Sequence, residues 1–211
     1  RSIADEKNLM KLAEVAKRLN SENAAGLGLP PLLLVTDAQR LADPAGAAEQ
    51  LPSGSAVLLR DYDMVARVTL ACRLAEVARR RSLKLLIAGD ATLAIRIGAA
   101  GIHFPEARAA EARRWRHRRQ WLITIAAHSR QALHQASMCG ADAALLSPVF
   151  ATASHPDEQP LGPEGFNLLA AQAGLPVYAL GGINANNATQ LLSGRAAGIA
   201  AITAFAEGIL Q

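Results

Sequence analysis

The sequence predicts an α/β fold of the (β/α)8 TIM barrel class, built as a single domain with an extra N-terminal helix, and three observations support it. Short apolar runs alternate with helical patterns along nearly the whole chain. Hydrophobic residues make up 51% of the chain but aromatic ones only 4%, so the core is assembled mainly from Ala, Leu, Ile and Val. That composition suits helices packed on a parallel sheet. Third, Tyr178-Ala179-Leu180-Gly181-Gly182-Ile183-Asn184 is followed one helix length later by Gly198-Ile199-Ala200-Ala201-Ile202-Thr203. Paired glycines after one strand and a hydroxyl after the next suit a phosphate, which in these barrels sits beyond strands seven and eight.

Taken in order, Ile3, Leu9, Leu12, Val15, Ala16 and Leu19 form a helical stripe over 3–19. Residues 1–30 then read as a helical extension and linker, and 31–211 as the barrel. Leu32 to Thr36 is the first strand and Ala56 to Leu59 the second. A helical pattern over Met64 to Arg81 leads to a third strand at Leu83 to Ala88. A short helix from Ala91 to Gly98 precedes a fourth strand, Gly101 to Phe104. A basic helix, Glu106 to Arg119, leads to the fifth strand at Trp121 to Ala126. Ser129 to Cys139 is helical and Ala141 to Leu146 is the sixth strand. A loop rich in Pro, Ser, Thr and His leads to a helix over Gly165 to Ala173, and the two motifs above supply the last strands. A doubly wound sheet would want a glycine-rich turn after the first strand, where the chain has Thr36-Asp37-Ala38-Gln39.

The net charge of +4 is concentrated in Arg108, Arg113, Arg114, Arg116, Arg118 and Arg119. Without a companion motif this stretch reads as a solvated outer helix, and no nucleic-acid partner is expected. Cys72 and Cys139 have no metal-type spacing and read as buried free thiols in a reducing cytoplasm. No apolar run suits a membrane span, and charges near the N-terminus do not suit a signal peptide.

Barrel chemistry gathers at the C-terminal ends of strands. The polar residues there are Thr36, Asp37, Arg60, Asp61, Asp90, His103, His128, Ser147, Thr152, Ser154, His155 and Thr203, with Gly181 and Gly182. Arg60 can clamp a carboxylate or phosphate, or pair with Asp37 or Asp61. His128 ends the fifth strand, where an imidazole can accept and return a proton or cap the next helix. His103 reads as packing. Thr152, Ser154 and His155 can hold oxyanions, and the length of their loop suits a lid or a binding role.

Gly140-Ala141-Asp142-Ala143-Ala144-Leu145-Leu146-Ser147-Pro148-Val149-Phe150-Ala151-Thr152, with Pro176-Val177-Tyr178-Ala179-Leu180-Gly181-Gly182-Ile183, resembles the thiamine phosphate synthase and TenI family from about Leu32 onward. The resemblance implies a (β/α)8 barrel that binds a thiazole phosphate, with Gly182 and Thr203 as phosphate contacts and Gly181 shaping the turn. Synthases of the family use Mg²⁺ to ionise a pyrimidine pyrophosphate, whose carbocation the thiazole nitrogen captures. TenI-like members isomerise a carboxythiazole phosphate or have no catalysis.

Several family positions differ in this chain. The lysine of the family's Arg-x-Lys is Tyr62, the Asn-Asp after the third strand is Ala88-Gly89, and the next metal-binding aspartate is matched by Arg108. The serine of the fifth-strand Ser-x-His is Ala126, and a loop lysine is His155. Asp90 is the neighbour that would have to replace a lost Mg²⁺ ligand. These losses put a TenI-like thiazole tautomerase first, with His128 as general base and Arg60 on a substrate carboxylate. A divergent thiamine phosphate synthase and a non-catalytic ligand-binding regulator are the alternatives. No cofactor is expected except Mg²⁺ for the synthase, and family likeness implies a homodimer.

Overall fold

The computed structural model describes residues 3–62, 65–152 and 159–202. Eight parallel strands close into a barrel in sequence order: β1 (Leu32–Val35), β2 (Ala56–Leu59), β3 (Lys84–Ala88), β4 (Gly101–Phe104), β5 (Leu122–Ala127), β6 (Ala143–Leu146), β7 (Val177–Leu180) and β8 (Ala196–Ala201). β8 pairs back to β1 through Leu32 with Ile199 and Leu33 with Ala200. The helices are α1 (Ile3–Asn23), α2 (Pro44–Ala48), α3 (Arg67–Arg81), α4 (Ala91–Arg96), α5 (Arg130–Met138) and α6 (Gly162–Ala170). Two 3-10 helices, Glu106–Trp115 and Ala188–Leu191, stand among them.

Because neighbouring residues of a strand point to opposite faces, these strands divide their side chains between two cores. Leu33, Val35, Leu58, Leu86, Leu145 and Tyr178 fill the barrel interior, while Leu34, Leu59, Ile87, Ile102, Ile125 and Leu146 face the helices. The interior accommodates one large ring. Tyr178 is fully buried and donates its hydroxyl to Pro30 O at 2.6 Å. Gly198 makes room for it, since a β-carbon there would stand 2.7 Å from Tyr178 Cε1. Burial also explains His103, whose Nδ1 lies 2.9 Å from Thr124 Oγ1 inside the barrel. Desolvation first, and the Arg60 charge second, lower its pKa from 6.5 to about 3, so the ring is neutral.

The apolar stripe of α1 turns out to belong to the helix-facing core, with Leu12, Ala16 and Leu19 nearly inaccessible. It lies against β8 on the outside of the barrel. Asn20 Nδ2 donates to Ala197 O at 2.8 Å, and Asn23 Nδ2 donates to Gly194 O and Ala196 O at 3.0 and 3.1 Å. These bonds carry the helix four residues past the predicted end.

Other elements also differ from expectation. The basic segment is a 3-10 helix broken at Arg108, where φ and ψ are −112° and 16°. β8 begins two residues early, and α6 starts three residues early, with Pro163 in its first turn, where a missing N–H costs nothing. Cys72 is exposed, which corrects its assignment as buried, whereas Cys139 is buried.

Candidate functional site

The interior alternation of each strand, continued two residues, places side chains at the barrel mouth. Leu58 leads to Arg60, Leu145 to Ser147 and Ala126 to His128. On the β1–β2 side, Asp61 accepts from Thr36 Oγ1 at 2.5 Å and from Ala38 N at 2.6 Å. The same threonine oxygen accepts from Arg60 N at 3.0 Å. These bonds join the two strand ends into one rigid support for Arg60. Its Nη2 donates to Asp37 Oδ2 at 2.6 Å, so Asp37 is the arginine's partner and Asp61 its scaffold.

Arg60, Thr152, Gly181 and Gly182 line one open pocket of about 460 Å³, counting the solvent-filled space within its rim. Ser147 and Arg40 complete its polar wall. Its floor is a turn with consecutive positive φ values, +100° at Gly181 and +64° at Gly182. The turn is held firmly on its loop side. Leu180 O accepts from Val149 N at 2.9 Å, Gly181 O from Phe150 N at 3.0 Å, and Gly182 O from Asn187 Nδ2 at 2.8 Å. Asn187 is itself tied to Asn184, whose N–H donates to Asn187 Oδ1 at 2.8 Å. A β-carbon on Gly182 would lie 2.4 Å from Ala151 O, so the close approach of the β6–α6 loop requires glycine. Such a turn presents backbone dipoles to the mouth in the manner that suits an oxyanion.

His128 stands outside the lining of that pocket, on the β5 side. It does not cap α5. That role falls to Ser129, whose Oγ accepts from Ala132 N at 3.1 Å. His128 Nδ1 lies 2.8 Å from Glu106 Oε2, which also accepts from His128 N at 3.0 Å. In the neutral ring Nδ1–H donates to the carboxylate, which leaves the Nε2 lone pair available as a base. Glu106 was not among the sequence candidates. The one available signal was its place directly after Pro105 at the end of β4. Ser154, His155 and Thr203 lie outside the described residues.

The β3–β4 side of the mouth is cationic where the family resemblance leads one to expect carboxylates. A β-carbon at Gly89, φ +66°, would stand 2.8 Å from Arg108 Nη1 and 3.0 Å from Tyr62 Cε1. Asp90 is engaged elsewhere. Its Oδ1 caps α4 by accepting from Leu93 N at 2.8 Å, and its Oδ2 lies 3.8 Å from Arg67 Nη1. Among the described residues no three of His, Cys, Asp or Glu gather as a metal site. Mg²⁺ needs hard oxygen ligands, and this donor set of two guanidiniums and one committed carboxylate does not fit it.

A closed (β/α)8 barrel with its polar residues collected at one mouth defines the class of protein. The chain belongs to the thiamine monophosphate synthase family, whose model matches residues 32–205. It is 33% identical over 153 residues to a putative thiamine-phosphate synthase 2 of Aquifex aeolicus, covering 72% of this chain and 82% of that one. A thiamine-phosphate synthase of Chloroflexus aurantiacus is 30% identical over 135 residues, covering 64% of this chain and 62% of the relative. In fold the chain is similar to a thiamine phosphate pyrophosphorylase from Pyrococcus furiosus, with a TM-score of 0.67 and 22% identity over 83% of this chain and 86% of the other. No helix among the described residues is long and apolar enough to cross a membrane.

Proposed function

We propose that this chain joins a pyrimidine diphosphate to a thiazole phosphate, the coupling after which its synthase relatives are named. The observation that carries this reading is the pocket in which Arg60, Thr152, Gly181 and Gly182 meet, together with the guanidinium of Arg108 standing over Gly89 at the end of β3. The thiazole phosphate is anchored on the glycine turn. In the coupling, the C–O bond of the pyrimidine methylene breaks and its electron pair leaves on the diphosphate. The thiazole nitrogen lone pair then forms the new C–N bond. Binding both partners in one mouth supplies proximity, and fixed cations stabilise the departing charge. No proton has to be removed by the protein. The test is to mix the purified chain with both substrates and measure thiamine phosphate and released pyrophosphate together. Equimolar products support the reading, and their absence at stoichiometric enzyme overturns it.

The first expectation, a thiazole tautomerase, becomes the second reading, because the relatives favour coupling. The His128–Glu106 pair still favours it, since an oriented imidazole is what ring-proton transfer requires. Isomerisation of a carboxythiazole phosphate that is abolished by His128→Ala, with coupling absent, would establish it. Binding of thiazole phosphate with neither reaction would leave the ligand-binding regulator.

A further inference from the structure

We infer that Arg67, Arg108 and Tyr62 form a guanidinium cradle at the β3–β4 edge of the mouth that holds a diphosphate without a divalent cation. The inference rests on the coupling reading for the identity of its ligand, but its geometry is independent of it. Three side chains from different segments converge on one backbone position, Ala88-Gly89 at the end of β3. Arg67 Nη2 donates to Ala88 O at 2.5 Å, and its guanidinium carbon lies 5.7 Å from the centre of the Tyr62 ring. Arg108 Nη1 and Tyr62 Cε1 crowd the open side of Gly89, where any larger residue would displace them.

Each arginine is fixed by its neighbours and still offers charge to the mouth. Glu111 takes Arg108 Nε and Nη2 at 2.6 and 2.8 Å, which fixes the fork and leaves Nη1 as the atom over Gly89. Arg67 has a side chain only 12% exposed, yet among the described residues its buried Nε has no hydrogen-bond partner, and the Asp90 carboxylate stands 3.8 Å from its Nη1. A largely buried cation so incompletely paired is costly unless an anion completes it. Tyr62 supplies a neutral hydroxyl. The ring is exposed in part, and the desolvation of the rest raises its pKa from the ordinary value of 10 against the opposing pull of Arg60, Arg67 and Arg108. Arg60 connects this edge to the glycine pocket, since it lines that pocket and acts on Tyr62. Planar forks suit the paired oxygens of a diphosphate, and permanent guanidinium charge does the neutralising that a cation held by carboxylates does elsewhere.

Inorganic pyrophosphate is the probe, titrated calorimetrically into the full chain in EDTA. Saturable binding is expected, weakened about tenfold or more by Arg108→Gln, with Tyr62→Phe also weakening it. Arg18→Gln, which removes an equal charge from the far surface of α1, should leave it unchanged. Arg108 is substantially exposed and its ion pair contributes little stability, so the variant is expected to fold, which circular dichroism checks. Arg108→Lys provides a second folded variant that keeps the charge and loses the fork, and intermediate affinity is expected of it. Binding seen only with added Mg²⁺, or equal in wild type and Arg108→Gln, overturns the cradle. Metal-free binding without coupling activity leaves the cradle standing and removes the coupling reading, so the two failures are distinct.

Discussion

Substituting Gly182 by alanine tests whether the glycine turn is a fixed anion seat. Two costs add at this position. An alanine held at φ +64° suffers the left-handed penalty of about 1 kcal/mol. Its β-carbon would also meet Ala151 O at 2.4 Å and Phe150 O at 2.8 Å, both backbone atoms that move only with the loop, which adds about 2 kcal/mol of overpacking. Gly28 isolates the first cost, because its φ is +66° with nothing within 4 Å of a built β-carbon. For a chain of this size about 1 kcal/mol corresponds to about 2–4 °C, so Gly28→Ala should lower Tm by about that amount and Gly182→Ala by about 6–12 °C. Differential scanning calorimetry reads both values. Titration with thiazole phosphate should then show affinity reduced about tenfold in Gly182→Ala and unchanged in Gly28→Ala. Equal Tm losses in the two variants, or full affinity in Gly182→Ala, would show that the turn is not a fixed anion seat.

His103 gives a pH dependence of stability. Its native pKa of about 3 lies below the unfolded value of 6.5, so the unfolded chain takes up a proton first as pH falls. The stability it contributes is present above pH 6.5 and is lost as pH falls from there toward 3, by roughly 1 kcal/mol per pH unit. Urea melts of wild type against His103→Asn should show that slope lost in the variant, and parallel curves would contradict it. Asn23→Ala removes donors to Gly194 O and Ala196 O and should lower stability by about 1–3 kcal/mol without altering ligand affinity. Denaturant melts with a parallel thiazole phosphate titration measure both. Glu106→Gln should slow any proton transfer by His128 at least tenfold while leaving coupling intact, as separate product assays would show.

The barrel was legible because its strands need little beyond local signals. Ala56–Leu59 and Gly101–Phe104 were bounded correctly by short, largely apolar runs between turns, since strands buried on both faces admit few other residues. α1 was legible as a helix but not as a neighbour of β8, because its placement depends on Asn20 and Asn23 reaching carbonyls more than 170 residues away. The 3-10 form of Glu106–Trp115 was hidden for a related reason: Arg108 leaves helical geometry where its side chain reaches Glu111 and Gly89, a tertiary arrangement. At the site, the Gly181-Gly182 turn announced itself by composition. Glu106 and Arg67 did not, since a lone glutamate after a proline and a lone arginine opening a helix carry no pattern until the barrel closes around them.

The most direct test of the two-anion mouth is a crystal structure of the chain with thiazole phosphate and inorganic pyrophosphate bound together in EDTA. The thiazole phosphate is expected on the Gly181-Gly182 turn beside Thr152, and the pyrophosphate in contact with Arg108 Nη1, Arg67 and Tyr62, with no metal between them. Both anions competing for the glycine turn, or a pyrophosphate bound away from Gly89, would contradict this arrangement.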